Sequence, residues 1–277
     1  MEAKKILFIT QEIIPYVEES EVSICGKKLP VAAQESGKEV RIYMPKWGHV
    51  NERRKQLHEV IRLSGMNLII NDTDHPLIIK VASMQTTRMQ VYFIDNDDYF
   101  MKRLMAFDKD GKEYPDNSER AVFYARGVLE TVKKLRWSPD IIVCQGWMGA
   151  LVPFYIKTLY KEEPSFRDSK VIYLAHSFEL KGTIGAGFIN SLYHKNLDSE
   201  ILEKNKKEQY HYDDLLHIAI DNSDGIIMGS PDISESTTAI INNSGKLVMP
   251  YPADPEELPM RCNDFYNQVF SSDKNEE

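Results

Sequence analysis

Two places in this chain put polar or aromatic side chains directly behind a short, unbroken apolar run. Ile141, Ile142, Val143 and Cys144 lead into Gln145, Gly146 and Trp147, and the run 170–175 leads into His176 and Ser177. Continuous apolar runs of this length have the pattern of strands buried on both faces. In an open parallel sheet the ligand sits outside the carboxyl ends of such strands. Gln145, Gly146, Trp147 and His176 are therefore candidate site residues. Trp147 offers a flat aromatic face on which a ligand ring can stack, or it packs on the helix that it precedes. His176 stands where a catalytic group would stand. Without evident partners, a hydrogen-bonded structural histidine is its plainer reading. Glu18, Glu19 and Glu21 crowd one loop, and Asp95, Asp97 and Asp98 another. Either group has the chemistry for a cation or an acid–base pair, but a charge run in a loop is most simply solvated. Asn96-Asp97-Asp98 also lacks the spacing of a calcium loop. No metal and no cofactor are expected.

These residues need a scaffold. Residues 5–10 form a buried-type strand and 11–15 the loop after it. A helix is expected over 29–36, stopped by Gly37, then a strand over 40–44 closed by Pro45. The stretch 57–71 gives no clear pattern. Strands over 77–83 and 89–94 flank a polar turn at 85–88 and should pair antiparallel, and 96–115 is mostly loop. Asn117 or Ser118 caps a helix reaching about 135, with Ala121, Tyr124, Ala125, Val128 and Leu129 on its apolar stripe. Asp116 and Asn117 are read as capping residues, and Arg120 as reaching back to a carboxylate. From Met148 the spacing turns helical, with Leu151, Val152, Tyr155 and Ile156 on the same stripe. Beyond His176 come a glycine-bearing loop at 182–187, an exposed charged helix over 198–210 and a helix over 213–221. A strand at 225–228 precedes a helix over 232–241, with Ser230 as cap and Pro231 in the first turn. A last strand is expected at 246–249. Residues 1–250 make one domain, and 251–277 a tail with a helix at 264–270 and disorder from 271. Strands alternating with helices throughout mean an α/β, doubly wound, mostly parallel, Rossmann-like sheet of about six to eight strands.

The bulk numbers agree with a globular domain. Of 277 residues, 42% are hydrophobic and 27% charged. The net charge of −8 gives no reason to expect nucleic acid or an anionic membrane as partner. No apolar run approaches the roughly 20 residues of a membrane span. The first residues run into a strand without the long apolar core of a signal peptide. Cys25, Cys144 and Cys262 are widely spaced, so neither a disulfide framework nor a zinc site is expected, and a reducing cytoplasm is the expected compartment.

Several stretches, in order, resemble the bacterial glycogen synthases and plant starch synthases. They include Ile9-Thr10-Gln11-Glu12-Ile13-Ile14-Pro15, Val40-Arg41-Ile42-Tyr43-Met44-Pro45 and Val91-Tyr92-Phe93-Ile94-Asp95-Asn96. Tyr114-Pro115-Asp116-Asn117-Ser118-Glu119-Arg120 is the best of them. Trp137-Ser138-Pro139-Asp140, Gly146-Trp147 through Pro153, His176 and Ser223-Asp224-Gly225 follow. The set spans roughly residues 4–245 and is similar to the N-terminal, starch synthase catalytic domain. The resemblance implies one N-terminal half of a GT-B fold, in which the first domain carries the glucan acceptor and the second most of the nucleotide-sugar site. It implies that His176 contacts the donor sugar and that Tyr99, Phe100 and Tyr114 extend a glucan groove, although loops over a large core also need aromatic anchors.

The departures are concentrated in the chemistry. The family's Lys-Thr-Gly-Gly-Leu-Ala-Asp is matched by Glu18-Glu19-Ser20-Glu21-Val22-Ser23-Ile24, which sets carboxylates where a pyrophosphate would bind. The family's His-Asp-Trp-His is Gln145-Gly146-Trp147-Met148, its His-Asn is His176-Ser177, and a following Gln-Gly is Lys181-Gly182. Ser177 joins the candidate site residues only through this resemblance. The sequence is expected to stop where the second domain would begin. A nucleotide sugar is thus an unexpected ligand. The expected function is that of a synthase-like domain, degenerate on its own, that binds an α-glucan or a protein partner. The alternatives are an active glucosyltransferase from ADP- or UDP-glucose completed by a second polypeptide, and a structural or regulatory subunit.

Overall fold

The structure is a computed structural model that describes residues 2–84, 87–177, 180, 182–184, 187–204 and 206–272. The first strand, β1 (Lys5–Ile9), leads through a loop into α1 (Glu21–Glu35) and then β2 (Glu39–Pro45). Next come a one-turn helix α2 (Glu52–Lys55), the short β3 (His58–Glu59), and a hairpin of β4 (Met66–Ile70) and β5 (Thr73–Ser83). β6 (Gln90–Asp95) precedes the long α3 (Asn117–Lys134). The central unit is β7 (Ile141–Gln145), α4 (Gly146–Gly149) and α5 (Val152–Lys157), followed by β8 (Lys170–Ala175). The remainder is β9 (Thr183–Ile184), α6 (Phe188–Ser191), α7 (Ser199–Lys204), β10 (Tyr210–His211), α8 (Tyr212–Asp221), β11 (Gly225–Met228), α9 (Glu235–Asn243), β12 (Leu247–Met249) and α10 (Leu258–Ser271).

The main sheet runs β12-β11-β8-β7-β1-β2-β6-β5-β3, with β4 attached to β5. Pairing from β12 across to β6 is parallel throughout, and β5 pairs antiparallel with β6, β3 and β4. The doubly wound parallel sheet is as the sequence predicts, and so is the antiparallel β5–β6 pair. The sheet holds ten strands rather than six to eight because 58–70 contributes β3 and β4. The chain winds outward in opposite directions from β1, so the sheet has its switch point between β1 and β7, where such folds open a crevice.

Helix α3 is fastened to this point. Tyr124, fully buried, sets its hydroxyl 2.8 Å from the carbonyls of both Thr10 and Tyr43, at the ends of β1 and β2. Gly127 lets the same helix settle on the sheet, since a Cβ there would lie 3.0 Å from Leu77 and 3.1 Å from Ile94.

Four local expectations are corrected. Helix α1 begins at Glu21, not at 29, with Ser20 as its N-cap in a capping box with Ser23. Gly26 and Pro30 both disfavour a helix interior, which hides the early start. Gly26 is there because a Cβ would come within 2.2 Å of the Glu12 carbonyl, so α1 can rest directly on the loop after β1. The helix expected over 198–210 is only Ser199–Lys204, because Tyr210 and His211 turn extended to pair with β9. Helix α9 begins at Glu235 under Ser234, and Ser230 is buried instead of capping. The last helix extends over Leu258–Ser271 rather than 264–270, and it buries Cys262, Phe265, Tyr266 and Val269. Residues 273–277, within the stretch expected to be disordered, lie outside the described residues, as do 85–86 of the expected polar turn. All three cysteines are free and buried.

Candidate functional site

A cleft of about 480 Å³ opens at the carboxyl ends of β1, β7, β8 and β11. Its wall combines the turn after β1, the first turn of α1, the turn at Gly146 and Trp147, His176 and Ser177 after β8, and Ser230 with Asp232 after β11. The sheet therefore brings together the two strand-end groups that the sequence singles out. Gly146 takes φ +73, and its missing side chain matters as much as its backbone: a Cβ would lie 2.2 Å from Oε1 of Gln11. Gln11 is thus folded over Gly146, across the switch point.

Gln145 is buried and turned away from the cleft. Its amide donates to the Thr10 hydroxyl and, at 3.0 Å, to the Val22 carbonyl, binding β1, β7 and α1 to one another. Its part is to shape the mouth rather than to meet a ligand. Trp147 is 4% exposed and stands edge-on to Tyr212, with ring centres 6.3 Å apart. It lines the cleft, lies within α4 rather than ahead of it, and packs on Tyr212 of α8. Ser177 donates to the Asp232 carbonyl at 2.8 Å and closes one side.

His176 is 3% exposed, and neither ring nitrogen has a partner among the described residues. Burial alone pushes it down to about 4, so the imidazole is neutral at physiological pH. Gly229 makes room for it, since a Cβ there would lie 2.7 Å from the ring. The expected structural hydrogen bond is therefore missing. His176 also borders a second cavity of about 280 Å³ beside His211 and Tyr212.

Glu12, which the sequence reading passed over, is the buried acid of the site. It is 8% exposed, accepts from the Gln11 amide at 2.7 Å, and accepts from the hydroxyl of Ser20 at the start of α1. A carboxylate at that position sits against the positive end of a helix. The lone acid following β1 was the available signal. Glu18 and Glu19 are exposed and outside the cleft, whereas Glu21 lines it. Among the described lining residues Glu12, Glu21 and Asp232 carry charge, and no lysine or arginine does. Lys181, from the departure at Lys181-Gly182, lies outside the described residues. Among the described residues no group of three or more His, Cys, Asp or Glu is placed to hold a metal ion.

The aromatic groove expected from Tyr99 and Phe100 is corrected, whereas Tyr114 lines a separate cavity of about 280 Å³ with Tyr212. Tyr99 is 2% exposed, with its hydroxyl 3.0 Å from His75 and 3.1 Å from Glu119, and Phe100 is fully buried. Tyr114 is half-buried under the Arg103 guanidinium, 4.3 Å from its ring centre. Asp116 stands at the N-cap position of α3 but makes no side-chain cap bond, and Asn117 is the first helical residue rather than the cap. Asp116 forks with Arg103, which holds its carboxyl below the usual range against the opposing effect of burial. Asn117 donates to the Ala106 carbonyl at 3.0 Å. Arg120 reaches no carboxylate: it donates to the carbonyls of Tyr99, Leu104 and Met105 and to the Asn117 side chain. Met105 and Phe107, at the end of the segment it holds, form part of the cleft wall.

The starch synthase catalytic domain model matches residues 5–240. The chain belongs to that family. Within this starch synthase catalytic domain family, it is 35% identical over 181 residues to a glycogen synthase of Pelodictyon phaeoclathratiforme, covering 65% of this chain and 37% of that protein. It is 31% identical over 241 residues to one of Chlorobium phaeovibrioides, covering 87% and 48%. The chain thus spans under half the length of these curated relatives. The catalytic domain of starch synthase IV from Arabidopsis thaliana, bound to ADP and acarbose, superposes over 90% of this chain and 51% of its own. The TM-score is 0.70 at 17% identity, which establishes a shared fold. This is the α/β architecture of a GT-B catalytic domain. No helix among the described residues is long and apolar enough to cross a membrane.

Proposed function

We propose that this synthase-like domain binds an α-glucan in its sheet-mouth cleft and does not hold a nucleotide sugar there, making it catalytically degenerate on its own. The reading is carried by the character of the lining. Glu12, Glu21 and Asp232 face a space with no described cation, while His176 and Oε1 of Gln11 are buried without partners among the described residues. A diphosphate leaving group needs positive charge or preorganised donors. At about 5 Å, each carboxylate would oppose a phosphate charge by about 1–3 kcal/mol between aqueous and near-surface dielectrics. Sugar hydroxyls are neutral and both donate and accept, so carboxylates, a neutral imidazole and an amide oxygen suit them. Trp147 supplies the apolar wall.

The test is calorimetric titration with maltoheptaose and, separately, ADP-glucose and UDP-glucose. Maltoheptaose should bind, and Trp147→Ala should weaken it about tenfold or more. A nucleotide sugar bound more tightly than about 100 µM, or glucose transfer by this chain alone, overturns the reading. Failure of every sugar overturns the glucan part and leaves a protein partner as the ligand.

A further inference from the structure

A cavity of about 920 Å³, larger than the sheet-mouth cleft, shares no lining residue with it. It lies between the β4–β5 hairpin, the middle of α3 and the stretch from α6 to α7. On its wall Arg126 is 4% exposed. One guanidinium nitrogen, Nη1, donates to the Ile69 carbonyl at 2.6 Å, and Nε is buried with no partner among the described residues. Among the described residues no carboxylate lies within ion-pair distance of it. The acid one helical turn on, Glu130, is engaged elsewhere: it accepts from Tyr160 at 2.7 Å and pairs with Lys133 at 3.2 Å. A buried cation without a counter-charge is rare, because desolvation is left uncompensated.

The rest of the wall suits an anion carried on a polyol. Lys195 adds an exposed ammonium without an acidic partner among the described residues, whereas Lys206 is already paired with Glu203 at 3.2 Å. His194 is lowered by burial first and then by Arg126, so it is neutral. The Asn196 amide donates to its Nδ1 at 3.2 Å, which leaves the proton on Nε2 as a donor. Asn67 and Asn190 bring amides, and Tyr193, 54% exposed, brings a ring face. Asp72, on the hairpin turn, is the remaining acid on this wall.

We infer that this cavity is a second ligand site, built for a hexose monophosphate, with Arg126 and Lys195 meeting the phosphate and the amides and Tyr193 meeting the sugar. A phosphate monoester supplies the missing counter-charge for Arg126, and guanidinium and phosphate match in geometry. The volume lies in the range of small-molecule sites.

The experiment is calorimetric titration of the whole chain with glucose 1-phosphate, inorganic phosphate and maltotriose. Glucose 1-phosphate should bind, more weakly at high salt, and about tenfold more tightly than inorganic phosphate. Lys195→Gln should weaken it about tenfold, and Arg126→Gln should abolish it. Lys195 is exposed, so that variant tests the site even if Arg126→Gln fails to fold. Absence of binding at 10 mM glucose 1-phosphate (a Kd weaker than about 10 mM), or equal binding to wild type and Lys195→Gln, overturns the site. Equal affinity for inorganic phosphate, or tighter binding of maltotriose, overturns its assignment to a sugar phosphate. Trp147→Ala should leave this binding unchanged, which separates the result from the glucan reading.

Discussion

Arg120 is the side chain whose removal should be felt most. It has no exposed surface and donates at 2.9 Å to the Tyr99 carbonyl, 2.6 Å to Met105, 2.7 Å to Leu104 and 2.8 Å to Asn117 Oδ1. Its guanidinium also lies 5.2 Å from the Trp47 ring centre and 4.9 Å from that of Tyr114. Hydrogen bonds from a charged donor contribute about 1.5–3 kcal/mol each, so four amount to about 6–12 kcal/mol before costs. Burial of the charge opposes this. Desolvation, then the nearby Arg103, pushes Arg120 down to about 9. Setting the several kcal/mol of desolvation against the bonds leaves a net loss of about 3–5 kcal/mol for Arg120→Met, as for other one-sided deletions in buried charged networks. With a urea slope of about 3 kcal/mol/M, the unfolding midpoint should fall by about 1–1.7 M. Arg120→Lys should lose nearly as much, because an ammonium cannot span three diverging carbonyls. A loss under about 1 kcal/mol for Arg120→Met would refute the view that this fork holds residues 99–106 against α3.

Two further outcomes follow from the cleft. His176 has its folded value near 4 against an ordinary 6.5, so between those pH values the unfolded chain binds the extra proton and stability rises with pH. About 3 kcal/mol should therefore be lost as pH falls from 6.5 to 4, and His176→Gln should remove that part of the slope in urea titrations run at each pH. Gly146→Ala combines a positive φ with a 2.2 Å approach to Gln11 and should cost about 2–4 kcal/mol in thermal unfolding. A neutral substitution there would mean that the Gln11 fold-over is not fixed.

The strands were readable because a parallel sheet buried on both faces needs uninterrupted apolar runs, and β1, β7 and β8 have them. What the sequence hid was governed by contacts between distant segments. Gly26 and Pro30 argue locally against a helix, yet α1 passes through both because its backbone must touch Glu12. Ser230 followed by Pro231 has the form of a helix start, but the cleft claims Ser230 and Ser234 does the capping. Arg120 was expected to find an acid. Its partners are carbonyls, which every residue carries and no sequence distinguishes. In the site, strand-end position pointed to His176, Gly146 and Trp147 and the resemblance to Ser177, whereas the inward turn of Gln145 and the burial of Glu12 depend on α1 lying across them.

The margins of the sheet bear on how copies of this protein meet. One rim is the two-residue β3 and the other the three-residue β12, both too brief to template a further strand. On β4, the hairpin strand outside the main order, the Ile69 carbonyl is already taken by Arg126. Pairing of a further strand at these rims is thereby discouraged.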